Sequence, residues 1–205
     1  MFRWTLICTA GLLLVAAPAS AQYIGIFMDA NASSCGGEVG TNPRIDLHVI
    51  AILEGSVPEF TGAQFRIEGA PDTWTPQNVL WVPDVNVVIN LGHPIFPNPI
   101  HPDIPGVNIA FNSCQRSSAN SRVPLGRIVL LGPPTSDNVH LRVTWFELGG
   151  ADPECPFVTN CDLGHGFPKV CVGGGEVVLN GPPPASCRTT AVEERTWTTV
   201  KRLYS

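Results

Sequence analysis

A chain of 205 residues with 12 basic and 17 acidic side chains has a formal net charge of −5, and no basic cluster offsets that balance. Such a charge excludes an electrostatic grip on nucleic acid or on an anionic membrane surface. Charged residues are 14% of the chain against about 25% in ordinary domains, and glycine and proline number 20 each, a composition suited to short strands joined by turns.

The first segment reads as an export signal over residues 1–21. Arg3 gives a positive start, Leu6 to Ala17 is an apolar run too short to span a bilayer, and Ala19-Ser20-Ala21 is an A-x-A cleavage site before Gln22. The expected mature protein is exported, either extracellular or held in the periplasm or at the cell surface. No later stretch approaches the roughly 20 apolar residues of a membrane helix, so no transmembrane segment is expected after cleavage. Removal of Arg3 and Cys8 leaves Cys35, Cys114, Cys155, Cys161, Cys171 and Cys187. In an oxidising compartment this even set predicts up to three disulfides, and spacing alone does not choose the pairing.

Along the rest of the chain, apolar and polar residues alternate at period two, the main strand signal. Tyr23 to Met28 is the first candidate, closed by an Asx turn around Asp29, Asn31 and Ser33. Ile45 to Leu53 is apolar at nearly every position after Asp46, as in a strand covered on both sides. In Ala63 to Glu68, Ala63, Phe65 and Ile67 face one way while Gln64, Arg66 and Glu68 face the other. Val79 to Leu91 is a strand with a break at Pro83. His93 to Pro105, HPIFPNPIHPDIP, has a proline at 94, 97, 99, 102 and 105, which forbids helix and predicts an extended loop on the surface or along a sheet edge. Gly106 to Phe111 and Arg127 to Leu131 follow. In Val139 to Trp145, Val139, Leu141, Val143 and Trp145 point inward and His140, Arg142 and Thr144 point to water.

Lys169 to Val172 and Glu176 to Leu179 predict a hairpin turning at Gly173 to Gly175. Gly181 to Ala185, GPPPA, reads as a stiff spacer at the end of the folded domain. The division expected is an export signal over 1–21, a sandwich domain over 22–181, and a proline spacer with an amphipathic tail over 182–205. In that tail Trp197, Val200, Leu203 and Tyr204 fall along one side of a helix, making it a candidate docking element. About nine strands without long helical patterns predict an all-β fold, a single antiparallel β-sandwich with a short C-terminal helix or tail.

Motifs for nucleophile elbows, zinc-protease helices, phosphate loops and dinucleotide binding are absent from the sequence. No catalytic residue and no cofactor are expected. Cys35, beside Ser33 and Ser34, is read as a disulfide half rather than a nucleophile. His93, His101 and Asp103 are a candidate metal set, on a proline-stiffened loop with no preset geometry. Trp74, Trp81 and Phe96 lie in or near turns and are candidate ligand-binding rings, because a flat exposed aromatic packs against a sugar face.

At YIGIFMDANASSC (Tyr23 to Cys35), GAQFRIEGAP (Gly62 to Pro71), GVNIAFNSC (Gly106 to Cys114), CPFVTNCD and KVCVGGGEVVLNG, the chain resembles a group of uncharacterised exported bacterial proteins. The order of its AQFRI, VNIAF and VHLRVTWF strands is similar to the Ig-like, cohesin-type β-sandwich. That resemblance implies a non-catalytic module that binds a protein or cell-surface partner. The alternative reading is an extracellular carbohydrate-binding module, or a metal-dependent hydrolase built on the histidine loop.

Overall fold

The computed structural model describes residues 22–40, 42–53, 59–98, 101–116, 122–132, 138–145, 155–161 and 168–188. These residues form thirteen strands and no helix: β1 (Tyr23–Phe27), β2 (Gly36–Gly37), β3 (Arg44–Ile52), β4 (Glu59–Glu68), β5 (Val79–Pro83), β6 (Val87–Asn98), β7 (His101–Arg116), β8 (Arg122–Leu131), β9 (Val139–Thr144), β10 (Phe157–Asn160), β11 (Lys169–Cys171), β12 (Gly173–Gly174) and β13 (Glu176–Leu179). The export signal and the amphipathic tail, with Trp197, Val200, Leu203 and Tyr204, lie outside the described residues.

Two sheets face one another. The first has the order β12-β1-β3-β8-β5. The second is built on β4, which pairs β7 along one side and β10 and then β9 along its length. Beyond β7 lies β6, beyond β10 lies β11, and beyond β9 lie β13 and β2. The core between the sheets takes the alternate residues expected of it. Ile24 and Ile26, Leu47 and Val49, and Ile128 and Leu130 come from the first sheet, and Phe65 and Ile67, Val107 and Ile109, and Leu141 and Val143 from the second. Phe60 meets Phe111 edge to face at 5.5 Å, and Phe65 meets Trp81 in the same way at 6.1 Å.

The apolar run in β3 has its reason in a second, smaller cluster. Alternation continues unbroken through Ala51 and Leu53 and puts Ile50 and Ile52 on the outer face, where they pack with Phe27 and Cys35 against Tyr23 and Cys187. This strand is therefore covered on both sides along its second half.

The cysteines pair as Cys35–Cys187, Cys114–Cys161 and Cys155–Cys171. The first bridge folds the Gly181 to Ala185 segment back onto the domain: Arg188 bridges Gly175, the Glu176 N–H donates to the Cys187 carbonyl at 3.2 Å, and Pro183 packs against Gly36. The prolines thus lie along the sandwich.

Three expectations change. The sheets are mixed rather than purely antiparallel, because β1 runs parallel to β12 and β2 parallel to β13. The triple glycine is no hairpin turn: β11 pairs β10, β13 pairs β9, and Gly173–Gly174 joins the edge beside β1. Without Cβ atoms these glycines let the chain cross from one sheet to the other, a contact that spacing in the sequence does not encode. Over its described residues, 93–98 and 101–105, the proline-rich stretch is extended and marginal as expected, but it is strand rather than loop, with Pro97 opposite Pro105 and irregular register after His93. Prolines are tolerated there because β6 is an edge strand that needs donors on one side only.

Candidate functional site

Strands β5 and β6 end their respective sheets and lie together on one flank of the sandwich. Pro83 closes β5, and Asp84 then makes the turn between the two: its carbonyl accepts the Val87 N–H at 3.0 Å and its carboxylate accepts the Asn86 N–H at 3.0 Å. The Trp81 indole N–H donates to Asn90 Oδ1 at 3.0 Å and pins the two strands together.

The flank carries the exposed large apolar side chains of the described residues. Leu80 on β5 is 40% exposed, Val85 in the turn 95%, and Val88, Ile89 and Leu91 on β6 61%, 50% and 41%. The sixth, Leu131, ends β8, the neighbour of β5. A register shift between Val87 and Ile89 leaves Val88 unpaired and raised from the edge. From Val79 to Asn98 the sequence has no Lys, Arg or Glu; Asp84 and His93 are its ionisable residues.

His93 is neutral by construction. Its Nδ1 accepts the N–H groups of Ile95 at 3.1 Å and Phe96 at 3.3 Å, so the ring proton sits on Nε2, which faces the Val79 carbonyl at 3.3 Å. Burial lowers its pKa to about 4, against the opposing pull of the Val79 carbonyl. Both ring nitrogens are thus occupied by backbone, and His93 holds the β5–β6 corner instead of offering a metal a lone pair. His101 and Asp103 fall in β7, and their side chains are outside the described set.

The rings proposed for a sugar are used internally. Trp74 is 8% exposed and belongs to the core, since the Pro71 to Thr75 turn folds it inward, its N–H donating to the Pro71 carbonyl at 2.9 Å. Its place in a turn suggested exposure; a turn that crosses the end of a sandwich can equally plug it. Trp81 and Phe96 are partly buried against the same core, with the Phe96 ring tilted against His93 at 4.8 Å between centroids.

Near Ser33 the chemistry is structural too. The Asp29 carboxylate accepts the Ser33 hydroxyl at 3.0 Å and the N–H groups of Asn31 and Ser34 at 2.8 Å each, closing the predicted Asx turn. Burial raises its pKa, but the Ser33 hydroxyl and the surrounding backbone donors together outweigh this and hold it below the ordinary carboxylate value. Cys35 is bonded to Cys187.

One set of ligand-type atoms lies close together among the described residues: Glu59, Cys114 and Cys161, within 4.8 Å of one another. Both sulfurs belong to one disulfide and Glu59 pairs with Arg116 at 2.7 Å, so neither a thiolate nor a free carboxylate is offered.

Two polar clusters that sequence reasoning missed lie on the outer faces. His140 Nδ1 meets Glu176 at 2.7 Å, and Arg44 and Arg127 both meet Asp46, at 2.8 Å and 3.2 Å. The hydrogen bond from Arg44 is the first cause that holds the Asp46 carboxyl below its ordinary range. Alternation places His140 and Arg142 at the surface, but Glu176 meets them through a pairing of β9 with β13 that no local pattern contains. These charges lie on the outer faces, whereas from Val79 to Asn98 the flank has Asp84 as its one acidic or basic side chain besides the neutral His93.

No protein-family model matches this sequence, and no curated protein matches it. Among solved structures, a cohesin module from a Clostridium perfringens family 33 glycoside hydrolase is similar at 12% identity and a TM-score of 0.43, with 78% of this chain and 98% of that chain covered.

Proposed function

We propose that this chain is an exported, non-catalytic binding module, a disulfide-stapled β-sandwich that engages a protein or cell-surface partner through its β5–β6 flank. The observation that carries this reading is the gathering of exposed apolar side chains, Leu80, Val85, Val88, Ile89 and Leu91, along two open sheet edges. Scattered exposed apolar residues need no explanation, but several on two neighbouring strands, each paired on one side only among the described residues, make the surface expected of an interaction site. Export is supported by the signal-type first segment and by three disulfides, which persist in oxidising compartments. The partner suited to the flank is an extended, uncharged segment that adds along the edge.

The test is cross-linking of the tagged protein in its native cells, with Val88→Lys/Leu91→Lys as the comparison. The intact chain should carry a defined cross-linked partner, and the doubly charged variant should lose it while keeping its melting temperature. An unchanged partner set would move the function to another face. A hydrolytic activity abolished by a chelator would replace the reading altogether.

A further inference from the structure

Strand β6 is guarded unequally along its length. Its second half contains Pro94 and Pro97 and an irregular register, devices that stop another strand from adding. Its first half, Val87 to Leu91, has no charge and no proline; the displaced Val88 is its one irregularity. This half pairs β7 on one side, and among the described residues no strand pairs the other.

We propose that the unguarded half of β6 pairs antiparallel with the same strand of a second copy, with Ile89 at the two-fold axis. This inference rests on the flank being the binding surface and names its occupant. Symmetry supplies the first argument. An edge strand running antiparallel to its own copy offers its free donors and acceptors matching partners, an isologous contact that closes at two subunits and leaves no free β6 edge.

Charge supplies the second. The chain is net negative, at −5, and a surface shared between two copies must keep like charges apart. With Ile89 on the axis, Val87 faces Leu91 of the other copy, while Asp84, Val85 and Asn86 lie in the turn before the strand, outside the pairing. The acid nearest this segment is thus kept out of the contact, and apolar meets apolar across the centre. A charged partner, by contrast, would find no counter-charge between Val85 and Leu91.

Sedimentation equilibrium of the intact, oxidised chain from micromolar to millimolar concentration tests the inference. A reversible dimer is expected. Ile89→Lys, which sets two ammonium groups against one another on the axis, should weaken it by about tenfold or more without changing the near-ultraviolet circular dichroism. In a second variant, Ile89→Cys should form an intermolecular disulfide, because facing Cβ atoms in such a pair are about 5 Å apart, while Val85→Cys should not. A chain monomeric over the whole range, or a dimer indifferent to Ile89→Lys, overturns the inference. If that monomer binds an uncharged strand-forming peptide and loses it in Val88→Lys/Leu91→Lys, the edge serves another protein and the binding-module function survives without self-pairing.

Discussion

Two backbone donors at Nδ1 and a carbonyl at Nε2 leave His93 no favourable way to accept a proton, and this makes the β5–β6 corner sensitive to acid. Its pKa is lowered to about 4 in the folded chain from an ordinary value of 6.5. Between those values the unfolded chain binds a proton that the folded chain refuses, so stability falls as pH drops from 6.5 and the loss levels off near pH 4, at about 3 kcal/mol. Asp29 adds to the same trend at lower pH: its folded pKa is depressed, so the stability it contributes is present above the carboxylate range and lost below it. Chemical denaturation at pH 7, 5.5 and 4.5 should show the decline. His93→Gln should flatten it over this range, while costing about 1 to 3 kcal/mol at pH 7 through disturbed bonds to Ile95 and Phe96. A pH slope unchanged in the variant would assign the acid sensitivity elsewhere. The sequence marks this histidine as unusual, but the ligands it finds are backbone groups brought to it by a corner, which composition and spacing do not reveal.

Strand β8 shows how much of an element is legible and where the reading stops. Alternation predicts Arg127 to Leu131, but the strand begins at Arg122, because a register shift opposite Val49 and Ile50 changes which residues face inward, from Val123 and Leu125 to Ile128 and Leu130. A pattern read at strict period two breaks at that point. Similarly, the prolines of β6 and β7 suggest loop until the edge position of β6 is known, and Trp74 looks exposed until the core beneath its turn is in place. What local periodicity carries is the existence of β1, β3, β4 and β9 and the inward face of β4 and of β9 as far as Val143, while Trp145, read as inward, falls beyond the strand and outside the core cluster. What it lacks is every pairing between distant segments. At the shift in β8, Gly126 lies against the Trp81 ring and the Val82 carbonyl, and an added Cβ would come within 2.5 Å of the ring and 2.7 Å of the oxygen. Gly126→Ala should therefore push β5 from β8 and cost about 1 to 3 kcal/mol, seen as a lower denaturation midpoint. An unchanged midpoint would mean that the flank yields freely, and that Trp81 does not fix it.

At the scale of the molecule, the disulfides divide the work of holding the sandwich closed. Cys35–Cys187 joins positions 152 residues apart, Cys114–Cys161 spans 47 and Cys155–Cys171 spans 16. A cross-link restricts the unfolded chain more as its loop lengthens, and taken singly the longest and shortest should contribute about 5 and about 3 kcal/mol. The folded state adds to the difference. Cys35 is 4% exposed in the cluster with Phe27, Ile50 and Ile52, whereas Cys114 is exposed. Losing the first bridge takes Cys187 from this cluster, frees the proline segment that packs on Gly36 and releases the antiparallel contact of Arg188 with Gly175. Cys35→Ala/Cys187→Ala should therefore lower the thermal midpoint more than Cys155→Ala/Cys171→Ala, measured under oxidising conditions with the remaining bridges intact. The reverse order would show that native-state packing near β10 and β11 outweighs chain entropy. A sandwich held at its far edge by this bridge can leave β5 and β6 open on the opposite side, because the closure that protects the core does not depend on covering them.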